Sequence, residues 1–207
     1  MNYDVIIVAS GKGVRANLGY NKVFYEMKNG KRVLDCSIDL FKEDEDCKRI
    51  IVVTNKEDFK YIDDTVIKVE GGDERKDSVF NGLKEVISDY VFIHDGARPF
   101  IRKENIEEIK NSLKDNDAVC LGSIALDTIK LIDGDDIVET IDRNKVFIAQ
   151  TPQAFKTSLI KDCYEKCKDL LFTDDSSLVE FLGYKVKVVL NNFDNHKLTK
   201  EDDFSDL

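Results

Sequence analysis

The chain has 207 residues, with 31 Lys and Arg against 41 Asp and Glu, and its formal net charge of -10 works against nonspecific binding to nucleic acid or to an anionic membrane. Its 42% hydrophobic and 35% charged residues and two prolines describe a globular protein rather than a disordered or fibrous one, long enough to bury a core without disulfide or metal staples. No run approaches the ~20 apolar residues of a membrane span, and MNYDVIIVASGKG carries neither a basic leader nor a small-residue cleavage site, so cytoplasmic residence is expected.

The first apolar run, YDVIIVA (3–9), reads as a strand covered on both faces. It leads into Ala9-Ser10-Gly11-Lys12-Gly13-Val14-Arg15, a glycine-rich turn whose backbone N–H groups can approach a phosphate while Arg15 and Lys22 add charge. The spacing is neither GxxxxGK[ST] nor GxGxxG. A helical pattern, VLDCSIDLFK (33–42), and two further strands, RIIVVT (49–54) and VIKVE (66–70), follow. Gly71-Gly72-Asp73-Glu74-Arg75-Lys76-Asp77-Ser78-Val79 then joins strand to helix. Its glycines expose backbone groups to a flat ligand, and Asp73 and Ser78 can bond ribose or base edges, with Asp77 or Ser78 also suited to cap the helix SVFNGLKEVI (78–87).

The strand YVFIHD (90–95) ends in His94-Asp95-Gly96-Ala97-Arg98-Pro99, where open α/β sheets keep their ligands. Asp95 is the natural carboxylate for Mg²⁺, which in nucleotide sites takes one or two carboxylates plus phosphate oxygens. A helix, ENIEEIKNSLK (104–114), and a strand, AVCLGSIA (118–125), come next. DTIKLIDGDDIVETID (127–142) holds two short alternating runs around Asp133-Gly134 and reads as a β-hairpin leaving the main sheet. A helix, LIKDCYEKCKDLL (159–171), and a strand, YKVKVVL (184–190), complete the series. This alternation predicts a three-layer, mostly parallel α/β sheet in a single domain, 1–207. Five cysteines without a CxxC pair fit neither a disulfide framework nor a zinc ribbon, and Cys163 and Cys167, four apart on a helix, read as ordinary thiols.

Asp127-Thr128-Ile129-Lys130, Asp142-Arg143-Asn144, Gln150-Thr151-Pro152-Gln153-Ala154-Phe155, Thr173-Asp174-Asp175-Ser176-Ser177 and Asn195-His196-Lys197-Leu198-Thr199 each read singly as turns, caps or solvated charge. In their shared order, from the glycine-rich turn to Lys197, the chain resembles the 2-C-methyl-D-erythritol 4-phosphate cytidylyltransferases of the non-mevalonate isoprenoid pathway. The resemblance implies a Rossmann-like nucleotidyltransferase sheet, transfer of CMP from CTP to a polyol phosphate, a Mg²⁺ cofactor, and a homodimer formed through an arm at 126–144. By the same resemblance Arg15, Lys22 and Lys197 act on the triphosphate as the catalytic cations. Ala9, Ser10, Gly11, Gly72, Asp73 and Ser78 form the nucleotide site. Asp95 serves the metal and the substrate, while Arg98, Thr128, Arg143, Thr151 and Thr173 hold the polyol phosphate.

The chain departs from the family pattern where Ala-Ala-Gly is Ala9-Ser10-Gly11, where a Met is Ala16, where Pro-Lys-Gln is Asn21-Lys22-Val23, and where Asn-Ile-Lys is Asn195-His196-Lys197. Two other readings stand beside this one: a ribitol-5-phosphate cytidylyltransferase, and a regulator that binds CTP without turning it over.

Overall fold

The computed structural model describes residues 1–11, 18–205 and 207. In chain order the strands are β1 (Tyr3–Val8), β2 (Cys47–Thr54), β3 (Ile67–Glu70), β4 (Tyr90–Asp95), β5 (Ala118–Ile124), β6 (Ile129–Asp133), β7 (Asp136–Ile141), β8 (Phe147–Lys156) and β9 (Lys187–Leu190). The helices are α1 (Val33–Lys42), α2 (Arg75–Glu85), α3 (Lys103–Ser112), α4 (Thr157–Lys166) and α5 (Asp175–Phe181). Seven strands form one sheet in the order β3-β2-β1-β4-β8-β5-β9, and β6 and β7 pair separately. The four strands from β3 to β4 run parallel, as does the β5–β9 pair.

The inner strands β1 and β4 and the second half of β2 are buried on both faces, which is why they read as unbroken Val and Ile runs. Val5 and Ile7 of β1 face a layer built on α1 and α3, with Leu34, Phe41, Ile106 and Ile109. Ile6, one residue along, points the other way, toward Val79, Leu83, Ile160 and Leu178 of α2, α4 and α5. Phe92 of β4 is fully buried and stacks on Tyr3 with ring centroids 4.1 Å apart. Replacing Phe92 by Ala should destabilise the fold by ~3–5 kcal/mol, to be read from the urea midpoint.

The strands and helices expected from the sequence are present within a few residues, and the hairpin turns where expected, with Gly134 at φ +56. Two elements correct the sequence reading. Residues 147–156 form β8, antiparallel to both β4 and β5 at the centre of the sheet, rather than loops. A proline cannot donate to a sheet ladder and so argues against a central strand. Pro152 is accommodated because the β5–β8 register shifts around it, pairing Cys120 with Gln153 but Gly122 with Ala149. The second is α5, capped by Asp174, whose Oδ1 accepts from the Ser177 N–H at 3.0 Å. Among the described residues no helix is long and apolar enough to cross a membrane.

Candidate active site

The residues just past the carboxyl ends of β1, β2, β3 and β4 converge on one cleft of about 800 Å³, the place where open α/β sheets bind ligands. Ala9, Ser10 and Gly11 come from the end of β1, Asn55 from β2, Gly71, Gly72 and Asp73 from β3, and Asp95 and Ala97 from β4, with Lys22 and Lys197 completing the wall. Space for the chain itself demands glycine at 71 and 72. A Cβ on Gly71 would lie 2.6 Å from Ser10 Cβ, and one on Gly72 would collide with Asp77 Cβ. Ser78 lies beneath this floor, fully buried, with its Oγ 2.8 Å from Ser10 Oγ and accepting from the Gly72 N–H at 3.1 Å.

Gly71→Ala should therefore weaken nucleotide binding, and adding Ser10→Gly should restore part of the loss, as followed by calorimetry. Full binding by Gly71→Ala alone would show that the floor yields without cost.

Asp95 closes the other side. Its Oδ2 takes Lys197 Nζ at 2.7 Å, its Oδ1 takes Arg75 Nε at 3.3 Å, and Arg98 Nε stands 3.8 Å away. Burial by itself would raise the carboxyl, but Arg75, Lys197 and Arg98 outweigh it and hold Asp95 well below the usual carboxylate range, ionised at any physiological pH.

Hydrogen-bond order behind Asp95 determines the state of His94. The Asp95 N–H donates to Thr151 Oγ at 3.0 Å, so the hydroxyl proton is left for His94 Nδ1 at 3.2 Å, and Nε2–H donates to the Arg98 carbonyl at 3.2 Å. His94 is thus the neutral Nε2–H tautomer, and burial, the largest influence, pushes it down to about 4. Its ring signals should stay flat across ~pH 5 to 8 in an NMR titration. As the folded value lies below 6.5, the unfolded chain takes the proton first, and stability should decline as pH falls from 6.5 toward about 4.

The family model that matches residues 3–206 is that of 2-C-methyl-D-erythritol 4-phosphate cytidylyltransferase. A protein of that name from Bacillus licheniformis is 40% identical over 216 residues, covering 98% of this chain and 93% of the relative. Another from Halalkalibacterium halodurans is 38% identical over 215 residues, covering 98% and 94%. The crystal structure of 4-diphosphocytidyl-2C-methyl-D-erythritol synthase from Anaerococcus prevotii superposes with a TM-score of 0.85 at 35% identity, covering 98% of this chain and 92% of that one. The chain belongs to the 2-C-methyl-D-erythritol 4-phosphate cytidylyltransferase family. It is a nucleotidyltransferase of isoprenoid precursor biosynthesis.

Of the residues that the family resemblance nominates, Ala9, Ser10, Gly11, Lys22, Gly72, Asp73, Asp95 and Lys197 line the cleft. Ser78 supports it from below, and Thr151 is buried against the Asp95 backbone. Arg98 donates from Nη1 to the Asn195 carbonyl at 2.7 Å. Thr128, Arg143 and Thr173 are exposed and are not among the described residues lining the cleft, and Arg143 Nη1 reaches the Leu126 carbonyl at 2.8 Å. Arg15 lies outside the described residues. The helix expected to be capped at Asp77 or Ser78 begins earlier, with Glu74 as N-cap and the Asp77 carboxylate accepting from the Glu74 N–H at 3.1 Å.

Two site residues went unassigned in the sequence. Asn21 donates to the Ala9 carbonyl at 2.6 Å, tying the turn after β1 to the segment that carries Lys22. Arg75 sits in a motif that was recognised, but its carboxylate partners are distant in sequence. Three departures from the family pattern fall on described cleft residues: Asn21 acts through this bond, Ser10 through its bond to Ser78, and Val23 is buried in the core beneath the cleft wall.

Proposed function

We propose that the cleft binds CTP with its triphosphate over the turn after β1 and its base and ribose against Gly71, Gly72 and Asp73, and that 2-C-methyl-D-erythritol 4-phosphate enters beside Asp95. The observation that carries this reading is the convergence of Gly71, Gly72, Lys22, Lys197 and Asp95 on one cavity. A phosphate monoester oxygen attacks the α-phosphorus in line, the bond to the β-phosphate oxygen breaks, and pyrophosphate leaves. The attacking phosphate has a second pKa of about 6 and is already ionised, so the chain needs no general base. It must instead bring two anions together, and unit charges ~4 Å apart repel by about 4 kcal/mol at an effective dielectric of 20. Lys22 and Lys197, with Arg15 by family resemblance, offset that repulsion and stabilise charge on the transferring group.

Mg²⁺ is part of this proposal. Among the described residues no group of three or more His, Cys, Asp or Glu side chains is placed to hold a metal. One carboxylate plus phosphate oxygens suits Mg²⁺ in a nucleotide site, so Asp95 would hold it together with the triphosphate. When bound, the ion would neutralise charge on the triphosphate. Cys163 and Cys167 are buried in the core, and burial pushes the Cys163 thiol up to about 11, which leaves both as packing residues. Cytoplasmic residence is proposed with this reading, on the strength of the five free thiols and the nucleotide substrate.

The arm is proposed to pair with a second copy of the chain, with 1–207 acting as one nucleotidyltransferase domain. Leu126, Ile132 and Ile137 are 85%, 63% and 63% exposed, and a two-stranded hairpin is marginal in water without a partner surface. Thr128 and Arg143 would then serve the neighbour's cleft.

Rates with CTP, UTP, ATP and GTP at equal concentration test the base assignment. CTP should be strongly preferred, and equal or faster turnover of UTP would exclude it. Product analysis with methylerythritol phosphate and ribitol 5-phosphate tests the acceptor.

A further inference from the structure

Arg75 opens α2, and one edge of its guanidinium is divided between two carboxylates from different parts of the fold. Nε lies 3.3 Å from Asp95 Oδ1 at the end of β4, and Nη2 lies 2.8 Å from Asp175 Oδ2 at the start of α5. Such an edge commonly grips both oxygens of one carboxylate. Divided in this way, it makes the position of one carboxylate depend on the other.

Asp175 is the fixed end. It is fully buried, and its other oxygen accepts from the Tyr164 hydroxyl of α4 at 2.6 Å. Turning it away would strand a buried charge, which is strongly unfavourable. The start of α5 is pinned independently: Gln153 of β8 donates from Nε2 to Asp174 Oδ2 at 2.6 Å and accepts at Oε1 from the Ser176 N–H at 2.9 Å. Lys197, the other close partner of Asp95, is a flexible point charge with its side chain 36% exposed, and is a poor fixed reference. Tyr164 faces a separate cavity of about 240 Å³ rather than the cleft.

We propose that Tyr164, Asp175 and Arg75 are positioning residues forming a relay that holds the Asp95 carboxylate in its working orientation, so that α5, remote from the reacting atoms, sets the angle of the site carboxylate. The relay rests on the reading of Asp95 as the group that meets metal and substrate. A lysine at 75 would keep the charge but could not offer two parallel N–H groups. Arg75 also borders the cleft, and the competing explanation is that it touches the nucleotide directly.

The test measures kcat, both KM values, CTP affinity by calorimetry and melting temperature for Arg75→Lys, Asp175→Asn, Tyr164→Phe and Asp95→Asn, singly and with each of the first three combined with Asp95→Asn. Arg75→Lys and Asp175→Asn should each lower kcat by about tenfold, the scale of coupling within a charged network, with CTP affinity close to wild type. Tyr164→Phe should show the same signature in weaker form. All three effects should vanish on the residual turnover of Asp95→Asn.

If Asp175→Asn and Tyr164→Phe keep full kcat while Arg75→Lys loses CTP affinity, Arg75 is a nucleotide contact and the relay is wrong. Effects that simply multiply with that of Asp95→Asn also overturn it. Should Asp175→Asn fail to fold, Tyr164→Phe carries the test, because it leaves both charges in place. Near wild-type turnover by Asp95→Asn would instead remove the reading of Asp95 itself, a distinct result.

Discussion

Lys22→Ala and Lys197→Ala are each expected to lower kcat by ~10²-fold or more, the scale for removing a group that stabilises developing charge in a water-poor site. Both cations line the cleft, and on the proposed mechanism their value lies in the transition state, where two anionic groups meet. The loss should therefore fall on kcat more than on the KM for CTP. Lys22 is largely buried, so its replacement also removes packing. Lys22→Met, which retains most of the volume, separates that effect from the loss of charge and should be as slow as Lys22→Ala. Lys197→Ala also frees Asp95 Oδ2 from its closest cation, and urea unfolding will report any change in stability. If either lysine variant keeps near wild-type kcat, that residue is a cleft-wall charge and takes no part in the transfer.

Pairing through the arm gives a second result of large amplitude. Lys22→Ala disables the cleft of its own chain, whereas Arg143→Ala, on the proposed dimer, disables the neighbour's. Each homodimer should be nearly inactive. Unfolded together and refolded as a mixture, the two variants should form a mixed dimer in which one site carries both defects and the other carries neither. With random pairing about half the dimers are mixed, so roughly a quarter of wild-type activity should return. A mixture that stays inactive, although mixed dimers are demonstrated by mass spectrometry of differently tagged chains, would place Arg143 in its own chain's site.

Much of this protein was determined by local sequence. Strands buried on both faces require unbroken apolar runs, so β1, β2 and β4 announce themselves, and Gly11, Gly71 and Gly72 mark the strand ends that line the cleft. Asp95 was legible because an acid ending an apolar strand has few structural reasons to be there. The tertiary structure decided the rest. β8 was hidden because Pro152 argues against a central strand, and the shifted register against β5 lets the proline lie in the sheet. Asp174 and Asp175 read as turn, cap or solvated charge, and Asp174 does cap α5, yet Asp175 is fully buried because Arg75 and Tyr164, 100 and 11 residues away, satisfy both its oxygens. Burial keeps His94 neutral, and its tautomer depends on a hydroxyl from β8 and a carbonyl from the turn after β4. Hydrogen bonds and ion pairs between residues distant in sequence leave no periodic trace, so patterning reveals where the chain approaches a ligand, while the folded contacts decide which side chains are held there and in what charge state.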